Sequence, residues 1–248
     1  MLTDVGFVAA STSRTRAYLA ALERHDLLPT WTLLLDDESL AAMSEQAGSA
    51  VVQSSSSDHQ AQCWSEVDFD PNAPLEPWLQ RLGLDYSVAG SRDINAAAVV
   101  DLIAHSEPSV LIYSGYGGAL LSNDVLETGK KFLHVHGGYL PDFKGSTTNY
   151  YSLLSEGSLG ASALFLTAEI DSGPVLARRR LPPPAERTEI DHIYDAAARA
   201  HVLVDTLSAY EERGEWRFEL PNNQGGTTYY IIHPILKHLA ILSNSVGT

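Results

Sequence analysis

The order in which buried-strand and helix patterns alternate constrains this 248-residue chain more than any single motif. "DVGFVAA" (4–10) is an apolar run of strand length, and "SRTRAYLAALERH" follows with Leu19 and Leu22 at helical spacing. "TWTLLL" (30–35) opens a second unit, with a helix expected over "DESLAAMSEQA", Asp37 as its cap, and a serine-rich loop after it. Then come a helix "DINAAAVVDLIAHSEP" capped by Asp93, a strand "SVLIYSGYGG", a helix "ALLSNDVLETG" stopped at Gly129, and a strand "KFLHVHGG". Parallel neighbours need crossover connections, which these helices provide, so the expected fold is α/β: a Rossmann-like, mostly parallel sheet. Two further strands, "ASALFLTAEI" and "GPVLARRRLP", flank Asp171, and "ERTEIDHIYDAAARAHVLVDTLSAYEERG" reads as the long helix that closes the main domain. The tail reads as a hairpin around Asn222 to Gly226 and a short helix. The expected division is therefore 1–214 for the main domain and 215–248 for a hairpin-and-helix appendage.

Charge narrows the partners. A net charge of -15 disfavours generic binding to nucleic acid or to anionic lipid. Apolar runs fall short of a membrane span, and the N-terminus lacks the core of a signal peptide. Cys63 is the single cysteine, which leaves no intrachain disulfide or thiolate metal cage and fits a cytoplasmic setting. Tyr150, Tyr151, Tyr229 and Tyr230 are candidates for packing or for the surface of a homodimer. Arg178, Arg179 and Arg180 alternate along a strand, so one side could meet an anion.

A parallel α/β sheet gathers its chemistry beyond the carboxyl ends of its strands. Gly115–Gly118, His134–Gly138 and Asp171–Gly173 fall at such ends. Gly115 and Gly117 begin a G-x-G pattern, but Leu120 occupies the third glycine position, so a dinucleotide fingerprint is excluded. His134 and His136 are two apart on a strand, which sends both imidazoles to one side. With Asp171 they can make an acid–base set that works near neutral pH, or a two-His, one-carboxylate metal site for a hydrolase. A catalytically silent binding protein on the same fold is the third class.

"HVHGGYLPDFKGS" and the later "IDSGPVL" resemble the folate-dependent formyltransferase family, which includes methionyl-tRNA formyltransferase, glycinamide ribonucleotide transformylase and the sugar N-formyltransferases. His136, Leu140, Pro141, Gly145, Asp171, Gly173 and Val175 match the family signature in order, and the resemblance runs from about Val110 to Leu181. His134 stands where the family has Asn. The resemblance implies N-formyl transfer from 10-formyltetrahydrofolate to the amine of a small metabolite or a nucleotide-linked amino sugar. It also implies that His136 moves the proton, that Asp171 orders it by accepting its second ring N–H, and that His134 replaces the Asn as the donor polarising the formyl carbonyl. Donor contacts are expected at Tyr116, Gly117, Gly118 and Leu120, substrate contacts at Tyr139, Lys144 and Ser146, and no metal. The Pro141/Gly145 and Asp171-x-Gly173 patterns have no part in a metal site, which puts transfer ahead of the hydrolase. The acidic balance and the lack of a long C-terminal domain argue against tRNA as acceptor.

Overall fold

Val5, Phe7 and Ala9 face one side of the first strand while Val8 and Ala10 face the other, so that strand needs apolar cover on both faces. The computed structural model, which describes residues 2–36 and 68–243, provides this cover in an α/β sheet. The strands are β1 (Leu2–Ala10), β2 (Pro29–Leu35), β3 (Tyr86–Val88), β4 (Val110–Ser114), β5 (Lys131–His136), β6 (Phe143–Gly145), β7 (Leu159–Phe165), β8 (Val175–Leu181) and β9 (Thr227–Tyr229). The helices are α1 (Ser13–Arg24), α2 (Leu75–Arg81), α3 (Ala97–His105), α4 (Asn123–Leu126), α5 (Thr148–Glu156), α6 (Asp195–Arg213) and α7 (Pro234–Leu242), and a π-helical turn, Ile190–Tyr194, leads into α6. The helix expected around Asp37, the serine-rich loop and Cys63 lie outside the described residues.

Seven strands form the main sheet in the order β3-β2-β1-β4-β5-β7-β8. Every pairing from β3 to β5 is parallel, and β7 and β8 join antiparallel, so the sheet is mostly parallel as expected. Helices α1 and α6 cover one face, packing Leu19, Leu22, Val202 and Leu203 against Phe7, Leu133 and Val135. On the other face, Val99 and Ile103 of α3 pack against Val8, Leu111 and Phe132. Leu133 and Val135 belong to the α1/α6 side, so Phe132, His134 and His136 point to the opposite side of β5.

Two local expectations are corrected. Asp93 does not cap α3: its carboxylate accepts the Asn95 N–H at 2.9 Å and closes a turn, and the helix starts at Ala97. The tail is not a hairpin. Its one strand, β9, pairs in parallel with β6, from Phe143↔Thr227 to Gly145↔Tyr229. Leu220 bridges to Val175 of β8, and two positive-φ glycines, Gly225 and Gly226, turn the chain between these contacts. The glycine-rich turn was legible, but the strand it serves lies some eighty residues upstream, where local turn chemistry gives no signal.

Candidate active site

β5 ends in Val135-His136-Gly137-Gly138, and the two glycines make room for what crosses the strand end. A Cβ on Gly138 would lie 2.6 Å from His136 Nε2 and 2.6 Å from the Phe143 carbonyl oxygen. A Cβ on Gly137 would strike Asp195 Oδ1 and lie 2.5 Å from Arg199 Nη2. The glycine pair is therefore required by close approach, here of side chains to the backbone.

His136 is buried, and both of its ring nitrogens meet acceptors. Nε2 lies 2.8 Å from the Phe143 carbonyl oxygen, and Nδ1 lies 3.3 Å from Asp171 Oδ2. A carbonyl can only accept, so Nε2 carries the proton of the neutral ring, and a further proton has its place between Nδ1 and Asp171. Burial lowers the His136 pKa; Asp171 opposes that, Arg199 adds to it, and the imidazole remains below its usual range. Asp171, in the left-handed region at φ 48, also accepts the Gly145 N–H at 2.8 Å through Oδ2. Its turn is held by Asn223, a buried tail residue whose amide donates to the Asp171 carbonyl at 2.7 Å and the Gly173 carbonyl at 3.1 Å.

His134 is half-buried and presents a different face. Its Nδ1 lies 3.3 Å from the Tyr113 carbonyl oxygen, which fixes Nδ1–H as the donor and leaves Nε2 with a lone pair in the neutral ring. Burial, then Arg14 and Arg199, hold its pKa well below the usual histidine range, so the ring is neutral at physiological pH. His134 lines a cleft of about 110 Å³ with Tyr113, Ala119, Leu120, Leu121 and the turn from Leu166 to Asp171. The two rings thus differ in their partners: His134 has one nitrogen against a carbonyl and lines the cleft, and His136 has both nitrogens engaged.

The remaining expected contacts divide. Leu120 lines the cleft. Tyr116 turns away, donating to the Leu35 carbonyl at 3.2 Å with the Arg92 guanidinium 4.2 Å above its ring. Gly117 and Gly118 are exposed residues of the turn before Leu120. Tyr139 is engaged by Arg178 and Arg180, whose guanidiniums lie 4.7 and 3.8 Å from its ring. Lys144 is buried, donating to Ser172 Oγ at 3.2 Å and the Asn223 carbonyl at 2.9 Å, and exposed Ser146 donates its N–H to the Tyr229 carbonyl at 2.9 Å. Lys144 and Ser146 build the junction of β6, the Asp171 turn and the tail, because β6 is held between those segments, whereas Tyr139 packs against β8. Arg178, Arg179 and Arg180 pair with Glu219, Asp205, and Asp142 with Glu156, so that strand offers no free cationic side. Among the described residues no group of three His, Cys, Asp or Glu side chains converges to hold a metal. Sequence reasoning missed Tyr113, Thr167 to Ile170, Arg14, Arg199 and Asn223. The turn just before Asp171 was the one available signal, since the cleft must extend on both sides of that carboxylate.

The sequence profile of the family described as formyl transferase matches residues 37–203. The chain belongs to the formyl transferase family. Methionyl-tRNA formyltransferase of Roseiflexus sp. (strain RS-1) is 34% identical over 140 residues, covering 55% of this formyl transferase chain and 42% of the relative. The chain thus spans less than half the length of that relative. Among solved structures, a sugar N-formyltransferase from Shewanella sp. FDAARGOS_354 superposes with a TM-score of 0.54 at 12% identity, covering 96% of this chain and 86% of that one. HypX from Aquifex aeolicus in complex with tetrahydrofolic acid gives a TM-score of 0.53 at 12% identity, covering 94% of this chain and 30% of that one. These two likenesses establish a shared fold. Among the described residues, no helix is long and apolar enough to cross a membrane.

Proposed function

We propose that this formyl transferase moves a formyl group from 10-formyltetrahydrofolate to the amine of a small acceptor, with His134, His136 and Asp171 as its acid–base set. The observation that carries this reading is the neutral His134 lone pair on the wall of a cleft, beside the buried His136–Asp171 pair, at the carboxyl edge of the sheet. The tetrahydrofolate named in the HypX complex supports the donor. At about 110 Å³ the cleft is below the ~300 Å³ low end of ligand pockets, so it holds part of the donor, with Leu120 and Thr167 to Ile170 as its walls. The acceptor nitrogen attacks the formyl carbon while the bond from that carbon to the folate nitrogen breaks. His134 Nε2 takes the amine proton and returns it to the departing folate nitrogen, so no net proton is consumed. The His136–Asp171 pair fixes the strand end beside it. A cytoplasmic setting belongs to the same reading.

The test is titration with a stable 10-formyl folate analogue, followed by turnover with a panel of amines. Saturable binding and an N-formylated product are expected, with His134→Asn lowering turnover by roughly a hundredfold or more, in keeping with loss of a general base. No folate binding, or undiminished turnover in His134→Asn, overturns the proposal.

Self-association is part of the proposal, and α7 supports it. Ile235, Leu239 and Leu242 form a solvent-facing stripe, 65%, 51% and 60% exposed, preceded by Tyr230 and Ile231 at 81% each. With Leu236, 41% exposed, they set six large apolar side chains on the surface of one segment, the kind of exposed apolar patch that marks an interaction surface. From Pro221 to Thr248 the sequence contains no Asp or Glu, and the Asp191 carboxylate beside α7 is paired with Lys237, so two copies of a chain carrying -15 would meet there with little carboxylate repulsion.

A further inference from the structure

Among the described residues, Arg213 is the one arginine whose side chain has no hydrogen bond, ion pair or ring contact. Arg14 spends its guanidinium on Ser114 Oγ and the Gly115 carbonyl, and Arg199 on the Val135 carbonyl and Asp195, so both are taken up at neighbouring strand ends. Arg213 ends α6, just ahead of Gly214, and lines a cleft of about 310 Å³ between β8, the second half of α6 and residues 215–219. Leu176, in the wall of that cleft, packs on the α1/α6 side of the sheet, whereas His134 and His136 point to the other side. The cleft shares no residue with the one that His134 lines.

The carboxylates in this wall are all paired: Asp205 with Arg179 at 3.0 Å, Glu215 with Arg217 at 2.7 Å and Glu219 with Arg178 at 2.9 Å. Arg213 is therefore a cation without a counter-ion there, on a chain that carries -15 overall. Its place in the last turn of α6 suits the negative end of the helix, which accounts for the charge but not for the cleft beside it. Two neutral donors of the same wall, the Tyr210 hydroxyl and the Trp216 indole N–H, also have no acceptor among the described residues. The rings that carry them are stacked, 3.9 Å apart and 8° from parallel, and the Phe165 ring fixes Trp216 from the side at 5.4 Å and 75°. Phe218, 40% exposed, extends this aromatic wall toward solvent.

We propose that the cleft between α6, β8 and residues 215–219 is a second ligand site that takes a small aromatic oxyanion, an aryl carboxylate or an aryl phosphate. An oxyanion accepts from the guanidinium fork and from the neutral donors, which the paired carboxylates of the wall do not. A flat ring buries its apolar faces against Trp216 and Phe218, and aromatic pairs gain beyond the area they bury. The volume is at the ~300 Å³ low end of ligand pockets, which suits one small molecule. Nothing in this site depends on the transfer chemistry.

The experiment titrates the full chain by calorimetry with 2-naphthoate, 2-naphthyl phosphate and the neutral 2-naphthamide, and repeats all three with Arg213→Gln. One-to-one saturable binding of at least one anion is expected, with the amide weaker by about tenfold, in keeping with the loss of a charge-assisted hydrogen bond. Arg213→Gln should weaken the anion by about fivefold or more and leave the amide unchanged. The anion that binds more tightly tells carboxylate from phosphate. Absence of saturable binding by both anions overturns the site, as does an amide that binds as well as they do. Anion binding that survives Arg213→Gln places the ligand elsewhere and overturns it too. Arg213 is exposed, so the variant is expected to keep its fold; should it not, the comparison of anion with amide on the parent chain still decides.

Discussion

His134 and His136 share one strand and one face, yet their second partners separate their chemistry. The Phe143 carbonyl and Asp171 take both nitrogens of His136, whereas the Tyr113 carbonyl takes one of His134 and leaves the other to the cleft. Both pKa values fall below the ordinary histidine value of about 6.5, chiefly through burial. Below that pH the unfolded chain binds more protons than the folded one, so stability is full above about 6.5 and is lost as pH falls toward the folded pKa values. His134→Asn removes one such group. The expected outcome is a smaller drop in urea-unfolding free energy between pH 8 and pH 5.5 in the variant than in the parent; an equal drop would mean that His134 is not held neutral. The spacing of the imidazoles, their common face and the nearby carboxylate were legible in the sequence because a strand repeats every two residues. Which nitrogen carries the proton was not, since two backbone carbonyls decide it.

At the scale of elements, the turn carrying Asp171 is held by a segment fifty residues downstream. Asn223 donates to two carbonyls of that turn, and its own carbonyl accepts from buried Lys144. Removing the amide leaves buried acceptors unpaired, at a cost on the order of 1–3 kcal/mol. Asn223→Ala is therefore expected to lose about that much stability by urea denaturation and to weaken folate-analogue binding, because Asp171 lines the cleft proposed for the donor. Asn223→Asp, which sets a carboxylate against two carbonyls, is expected to be worse than alanine. If both variants match the parent in stability, the tail does not brace the site. Sequence patterning identified the turn residues and the helix at this end of the chain, but not the parallel pairing of β9 with β6.

For the whole molecule, the acidic balance and the apolar stripe on α7 make opposite demands: the first keeps copies apart, and the second leaves six large apolar side chains in water. The proposed dimerisation through α7 would reconcile them, because that stretch carries no carboxylate. Sedimentation at micromolar concentration should report a dimer, and Ile235→Asp with Leu239→Asp should give a folded monomer with folate-analogue affinity unchanged, since neither residue lines the clefts. A parent chain that sediments as a monomer at every concentration excludes this interface.

The sequence by itself determined the sheet class and the strand that carries the imidazoles, because buried strands and amphipathic helices write their periods locally. It also singled out His134, His136 and Asp171, since linked spacing survives without coordinates. Only the tertiary structure decided which nitrogens are free, which arginines reach the strand ends and which tail residue braces Asp171. Those contacts join residues from seven to about a hundred positions apart, and burial, rather than residue type, sets their charge.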